Sequence, residues 1–411
     1  MKTEVIAIAD EILKGMVINS NSTFISACLG KMGLKVDRHT VFPDDFSILK
    51  QAFTDALHRS DLVICTGGLG PTLDDLTRSV AAELFSSPFI FNEEIAADLL
   101  SRYGPSLASL QDQATVPEKA VILQNCIGTA PGFLFEEKGK MLALLPGVPL
   151  EMEAMLQDAL IPILRKKLPD QISYHSEKLY FCHLKETALD PTLRLIQKQY
   201  PSMDLGIYPG YGTLLVALRS LNPLDLSAAK EEITAAFPSY VFTSSSGRIE
   251  DALIDLLASD KKTVCFAESC TGGLLSHKIA SIPGASDVLL GSFVTYSNRL
   301  KQDILKVSSG SINQHGSVSA EVVQEMLEGA LSLSGADYAI AVSGIAGPSG
   351  GTKDKPVGTI WAGIGEKGAR AQIFKLNLRG NRQIIMLTTA TELLGALYRK
   401  IRYGIDPSKG F

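Results

Sequence analysis

The chain has 411 residues, 45% hydrophobic and 20% charged, with a formal net charge of −5. That length is expected to divide into domains of roughly 100–200 residues, and the composition is globular, not disordered. The acidic balance and the absence of basic clusters exclude an electrostatic footprint for nucleic acid, so no direct nucleic-acid binding is expected.

The opening segment, MKTEVIAIADEIL, has a short apolar run that already carries Asp10 and Glu11, so it does not read as a signal peptide. No apolar run is long enough to cross a membrane, and a cytoplasmic protein with no membrane partner is expected. Six cysteines, at 28, 65, 126, 182, 265 and 270, form no CxxC pair; they are expected to be reduced, buried or half-buried thiols.

A first region, 1–170, opens with the apolar strand pattern EVIAIAD. Helical patterns follow over Asn21–Met32 and Ile48–Arg59, and a second apolar strand reads DLVICTGG. This alternation predicts an α/β domain with a mostly parallel sheet. Asp10–Glu11 and Thr66–Gly68 then fall at strand ends on one edge, where open α/β sheets bind ligands. In TGGLGPTLDDLTR, Gly67, Gly68 and Gly70 permit close approach of a phosphate, with Pro71 and Thr72 starting a helix. Asp74 and Asp75 then occupy its first turn. Adjacent helical residues point in different directions, so one is expected to bind a hard cation and the other to cap or orient. With Asp10 and Glu11 they suggest metal-assisted cleavage of a diphosphate. The structural alternative is a capped helix with acids favourably placed at its positive end. The GK[ST] ending of a Walker loop is absent.

A second region, 171–248, reads as a small α/β module: a strand through QISYHSEKLYF, a helix over Asp190–Tyr200, the strands MDLGIYPG and GTLLVALRS, and the helix LSAAKEEITAAF. A connecting or dimer-forming role is expected, with a small binding module as the rival.

The third region, 249–411, is again α/β. Its sharpest feature is AESCTGG, Ala267–Gly273, between an apolar strand and a helix. Ser269 is a candidate nucleophile there, and N–H groups from Cys270 to Gly273, including those of Gly272 and Gly273, are placed to hold an oxyanion or a phosphate. The plain alternative is an N-cap serine. Cys270 is a rival nucleophile, because a helix N-terminus lowers a thiol pKa. His277 and His315 lack an aspartate to orient them, so a lysine is the expected base. Lys301, at a strand's loop end, ranks above Lys278 and Lys306. A second glycine-rich turn, SGIAGPSGG, offers Ser343, Gly344 and Gly347 for substrate contact or for orienting the base. Arg379 and Arg382 flank the turn LRGNRQ, where an arginine would clamp a phosphate.

The whole chain resembles the CinA, or competence/damage-inducible, family. The matching segments at the C-terminal end are FAESCTGGLLS, GSFVTYSN with Lys301, HGSVSAE, AVSGIAGPSGG followed by KPVGTIW, and GNRQ. This resemblance implies a nicotinamide mononucleotide deamidase domain, with Ser269 as nucleophile, Lys301 as base, Ser343 as helper hydroxyl and no metal. It also implies Arg382 as phosphate ligand and Tyr296, Ser297 and Asn298 along the pocket. The first region, through IADEILKGMVINSNS, CTGGLGPTLDDLTR, IGTAPGF and ALLPGVPLEMEAM, resembles the family's molybdopterin-binding-fold domain. That likeness implies an ADP-ribose pyrophosphatase using a divalent cation such as Mg, Mn or Co, or else a non-catalytic nucleotide or pterin binder. Two departures bear on it: Ala9 stands where the family has glycine, and Leu110–Ala114 gains Asp112 where the family has a basic residue. The family also implies a homodimer, and its name suggests an adaptor in competence or DNA damage as an alternative function.

Overall fold

The structure is a computed structural model that describes residues 1–72, 75–105, 107–167, 174–244 and 246–409. The chain divides into two compact units, Met1–Tyr174 and His175–Phe411.

The first unit holds β1 (Thr3–Ile8), β2 (Arg38–Phe42), β3 (Leu62–Thr66), β4 (Phe89–Phe91), β5 (Thr115–Pro117), β6 (Val121–Leu123), β7 (Gly132–Glu137) and β8 (Lys140–Leu145). Six of these form one sheet in the order β2-β1-β3-β8-β7-β6, while β4 and β5 pair separately. The β2-β1-β3-β8 ladder is parallel, and β7 and β6 run antiparallel at the other edge. Strands β1 and β3 are buried along their whole length, as expected where helices cover both faces. Ile25 and Leu29 from helix Ser20–Lys31 and Met152, Leu156 and Leu160 from the helical run after Pro149 pack on one face. Leu49 and Phe53 from helix Phe46–Arg59 and Val80 from helix Thr77–Leu84 pack on the other.

The second unit contains two sheets. Strands β9 (His175–Cys182), β10 (Asp204–Pro209), β11 (Thr213–Ser220) and β12 (Val241–Phe242) form an antiparallel sheet in the order β10-β11-β9-β12. Burial alternates along β11, the mark of a sheet covered on one face, here by helices Glu186–Gln199 and Pro223–Ala236. Strands β13 (Val264–Glu268), β14 (Leu289–Val294), β15 (Tyr338–Gly344), β16 (Thr359–Glu366) and β17 (Gln372–Asn377) form the other, in the order β14-β13-β15-β16-β17. The first three are parallel and the last two antiparallel. Helices Ile249–Ser259, Leu274–Ala280 and Arg382–Tyr403 cover one face, and helix Ala320–Ser334 covers the other.

In both parallel ladders the second strand in sequence lies on one side of the first and the third on the other. The connections leaving the first strand's C-terminal end therefore diverge, which opens a crevice there. Asp10 and Gly67 flank one such crevice; Ser269 and Ser343 flank the other. No helix among the described residues is long and apolar enough to cross a membrane. The cysteines are free, and Cys126 is exposed, contrary to the expectation that all six would be at least half-buried; it sits in the turn after β6, outside every apolar cluster.

Candidate functional site

Strand β13 is a fully buried run, VCFAE, and it delivers Ser269 one residue past its end. The Ser269 N–H donates to Val342 O at 3.1 Å, which ties the turn to the neighbouring strand β15. Lys301 comes from the far side of the crevice, in the short helix Asn298–Asp303 that Ser297 caps through its hydroxyl. The two side chains meet: Lys301 Nζ lies 2.9 Å from Ser269 Oγ. Lys301 is 1% exposed and Ser269 8%.

The surroundings of Nζ define its chemistry. It donates to the carbonyl oxygens of Thr295 at 2.8 Å and Tyr296 at 3.3 Å, and no carboxylate bonds to it. A neutral amine has two N–H bonds and one lone pair; two carbonyls and one hydroxyl match that set. Burial pulls the amine down to about 8, against a small opposing pull from Cys270. Lys278 is paired with Glu250, and Lys306 donates to Asp303 O at 2.7 Å, so neither reaches Ser269. The Cys270 thiol does not behave as a helix-terminus thiol. The following helix begins only at Leu274, and burial pushes Cys270 up to about 12.

The donors around Ser269 are fewer than the turn sequence suggests. Gly272 N donates to Ser269 O at 3.1 Å, and Gly273 N to Glu268 Oε2 at 3.0 Å. The N–H groups of Cys270 and Thr271 have no acceptor within the described residues. The glycines serve backbone geometry instead, with φ of +61° at Gly272 and +99° at Gly273. Ser343 is 1% exposed and donates to Ser317 O at 2.7 Å, with no bond to Lys301 or Ser269. It holds the HGSV segment to β15; the expected orienting of the base is not part of this arrangement.

At the mouth of the crevice Arg382, the first residue of the last helix, donates to Gly347 O at 2.9 Å and to the Tyr296 hydroxyl at 2.7 Å. Three residues singled out from separate segments are thus brought together. Tyr296 connects the two halves of the site: its carbonyl accepts from Lys301 and its ring hydroxyl from Arg382. Gly344 makes room for Ile360 and the Thr359 carbonyl, and Asn298 stands exposed at the start of the lysine helix. Sequence reasoning missed Thr295, whose carbonyl accepts from Lys301, and Glu268. A carboxylate ending an otherwise apolar strand beside the nucleophile was the available signal.

The first unit differs more from expectation. Its helix starts at Thr77, not at Pro71. Gly67, at φ +108°, and Gly68, at φ +67°, fold the chain back onto the strand end, where Thr77 Oγ1 donates to Gly67 O at 2.9 Å. Asp75 precedes the helix and turns inward, accepting from Thr72 N at 3.0 Å and Thr72 Oγ1 at 2.5 Å; Gly70 lies against it. Asp10 pairs with Lys14 at 2.7 Å, and Glu11 lines a cavity of about 270 Å³ together with Ala9, Asn19, Asn21, Thr66 and Gly147. Asp74 lies outside the described residues. Among the described residues no three His, Cys, Asp or Glu side chains converge as a metal would require. Ala9 has φ −169°, extended backbone that any residue adopts, and its methyl simply forms part of the cavity wall. Asp112 takes Arg78 at 2.8 Å, occupying the basic residue that follows the glycine-rich turn.

Fold and site together define a multidomain α/β protein with a buried serine–lysine pair at a sheet switch point. Residues 247–401 match the model of the CinA C-terminal domain, and residues 4–166 that of a probable molybdopterin binding domain. A putative competence-damage inducible protein of Caldicellulosiruptor saccharolyticus is 36% identical over 98% of this chain and 99% of its own length. One from Clostridium novyi is 36% identical over 98% of this chain and 100% of its own. A crystal structure of the protein CinA, with unknown function, from Thermoplasma acidophilum is 37% identical and covers 39% of this chain and 97% of its own, with a TM-score of 0.37. The chain belongs to the CinA, or competence-damage inducible, family.

Proposed function

We propose that the second unit hydrolyses the carboxamide of nicotinamide mononucleotide to the acid, releasing ammonia, with Ser269 as nucleophile and Lys301 as general base. The observation that carries this reading is the buried Lys301 Nζ, 2.9 Å from Ser269 Oγ, with its two N–H bonds directed at carbonyls. Its lone pair is left to the serine hydroxyl hydrogen.

Ser269 passes its proton to Lys301, and Oγ bonds to the carboxamide carbon. The oxyanion accepts from the N–H groups of Cys270 and Thr271, the donors of the turn that lack an acceptor. Lys301 returns the proton to the departing nitrogen, and the C–N bond breaks to release ammonia. Lys301 then takes a proton from water, whose oxygen bonds to the ester carbon, and passes it to Ser269 Oγ as the C–Oγ bond breaks, which frees the acid and restores the neutral amine. Arg382 holds the 5'-phosphate by exchanging Tyr296 and Gly347 for phosphate oxygens. The test is product analysis in EDTA: wild type is expected to yield ammonia and nicotinate mononucleotide in equal amounts, and yielding neither would refute the assignment.

For the first unit the cavity of about 270 Å³ at the β1 and β3 ends supports a nucleotide- or pterin-binding role. The Asp112–Arg78 ion pair, which takes up the basic residue after the glycine-rich turn, speaks against diphosphate cleavage. Incubation with ADP-ribose and Mg, Mn or Co is expected to leave the diphosphate intact; release of AMP would reverse that reading.

A further inference from the structure

Glu268 ends β13 immediately before the nucleophile and is 0% exposed. Burying a carboxylate is costly unless several donors meet it, and here they do. Its Oε2 accepts from Thr271 Oγ1 at 2.8 Å, from Gly273 N at 3.0 Å and from Leu275 N at 3.0 Å. Its Oε1 accepts from Ser276 N and Ser292 Oγ, both at 3.0 Å. The Ser276 hydroxyl, 3.0 Å from Oε1 and 2.8 Å from Gly273 O, shares one hydrogen between them. The Glu268 main-chain carbonyl accepts from Thr295 N at 2.8 Å, and Thr295 O in turn accepts from Lys301. One residue therefore grips both the turn that carries Ser269 and the segment that seats Lys301.

The start of the helix after Ser269 would otherwise offer its free N–H groups to a substrate anion. Here Leu275 N and Ser276 N are spent on the protein's own carboxylate, and Leu274 N on the Thr271 carbonyl. What remains within the turn is the N–H pair of Cys270 and Thr271, and Thr271 is itself fastened to Glu268 through its hydroxyl. We propose that Glu268 is a positioning residue. By filling the helix start with its own carboxylate, it sets the Cys270 and Thr271 N–H groups toward the charge that develops on the substrate carbonyl and leaves the phosphate to Arg382. The inference rests on the serine amidase reading of this site.

The test uses the full-length chain. Glu268→Gln keeps the shape but turns an NH2 donor toward N–H donors, so the turn loses acceptors it needs. Functional sites are counted by labelling Ser269 with phenylmethanesulfonyl fluoride, and kinetics with nicotinamide mononucleotide are expressed per labelled site. Expected for Glu268→Gln are a kcat at least about tenfold lower, a KM within about threefold of wild type, and an unmoved pH midpoint, because Glu268 does not touch Lys301. Thr271→Val removes one bond to the carboxylate, and it carries the test if Glu268→Gln does not fold. Its kcat per site is expected to fall about three- to tenfold. Wild-type kcat per site in either folded variant, or a loss confined to KM, overturns the proposal. If wild type releases no ammonia, the amidase reading fails by itself. The labelling rate of Ser269, which needs no substrate, then decides: slower labelling in Glu268→Gln upholds positioning, and equal labelling ends it.

Discussion

The lysine's burial has a kinetic signature. Lys301 serves as a base only when neutral, and its proton is lost as pH rises through about 8. The rate is therefore expected to climb about tenfold per pH unit below that value and to level off above it. A profile that falls with rising pH across this range would contradict the assignment. Arg382 gives a second residue-scale prediction. Arg382→Ala should raise KM for the nucleotide about 10–100-fold, in line with loss of a charge-assisted hydrogen-bond pair. It should leave the nucleoside, which lacks the phosphate, nearly unaffected. The motif positions of Ser269, Lys301, Gly347 and Arg382 were legible because strand ends and glycine-rich turns mark where side chains face a crevice; Tyr296 was legible only through the family resemblance. The Ser343 contact and the commitment of the Gly272 and Gly273 N–H groups were not. They depend on the Ser269 carbonyl, Glu268 and Ser317, which meet these residues only through turn geometry and sheet register.

At the scale of elements, the pair is held by backbones that approach closely. Gly329, in helix Ala320–Ser334, lies against the Leu305 main chain, and Leu305 N and Val307 N both donate to Lys301 O. A methyl at Gly329 would collide with a carbonyl that cannot rotate away. Gly329→Ala is expected to destabilise by about 1–3 kcal/mol, although alanine is the better helix former by about 1 kcal/mol. Denaturant unfolding checks this; a stabilised variant would show that the lysine segment is free to shift. The strands were readable from apolar runs and alternation, and the long helices from their periodicity. The helix after the first glycine-rich turn was not, because Asp75 hydrogen-bonds to Thr72 within its own turn and delays helix entry to Thr77.

Across the whole molecule, the antiparallel sheet and the site-bearing sheet share one core. Cys182 and Phe242 pack in the same cluster as Ile249, Leu394 and Tyr398. Arg399 donates to Ser239 O at 2.8 Å with its guanidinium 4.4 Å from the Tyr240 ring centre, and Tyr403 donates to Val241 O at 2.9 Å. Gly395 leaves room for His183, whose Nε2 lies 2.8 Å from Glu392 O. A fragment 249–411 loses all of these partners, whereas 175–411 keeps them. Thermal denaturation should place 249–411 at least about 5 °C below 175–411, since burial of a large aromatic alone is worth about 3–5 kcal/mol. Equal midpoints would mean that the two sheets are energetically independent. No periodicity in the sequence announces this sharing, because Phe242 belongs to a two-residue strand and Cys182 to a strand end.

Ammonia release from nicotinamide mononucleotide at pH 8 in EDTA, by the full-length wild type beside Ser269→Ala and Lys301→Ala, tests the serine–lysine assignment most directly. Release by wild type and a fall of roughly 10³-fold or more in each variant are expected. Wild-type rates in a folded Ser269→Ala or Lys301→Ala protein would contradict it.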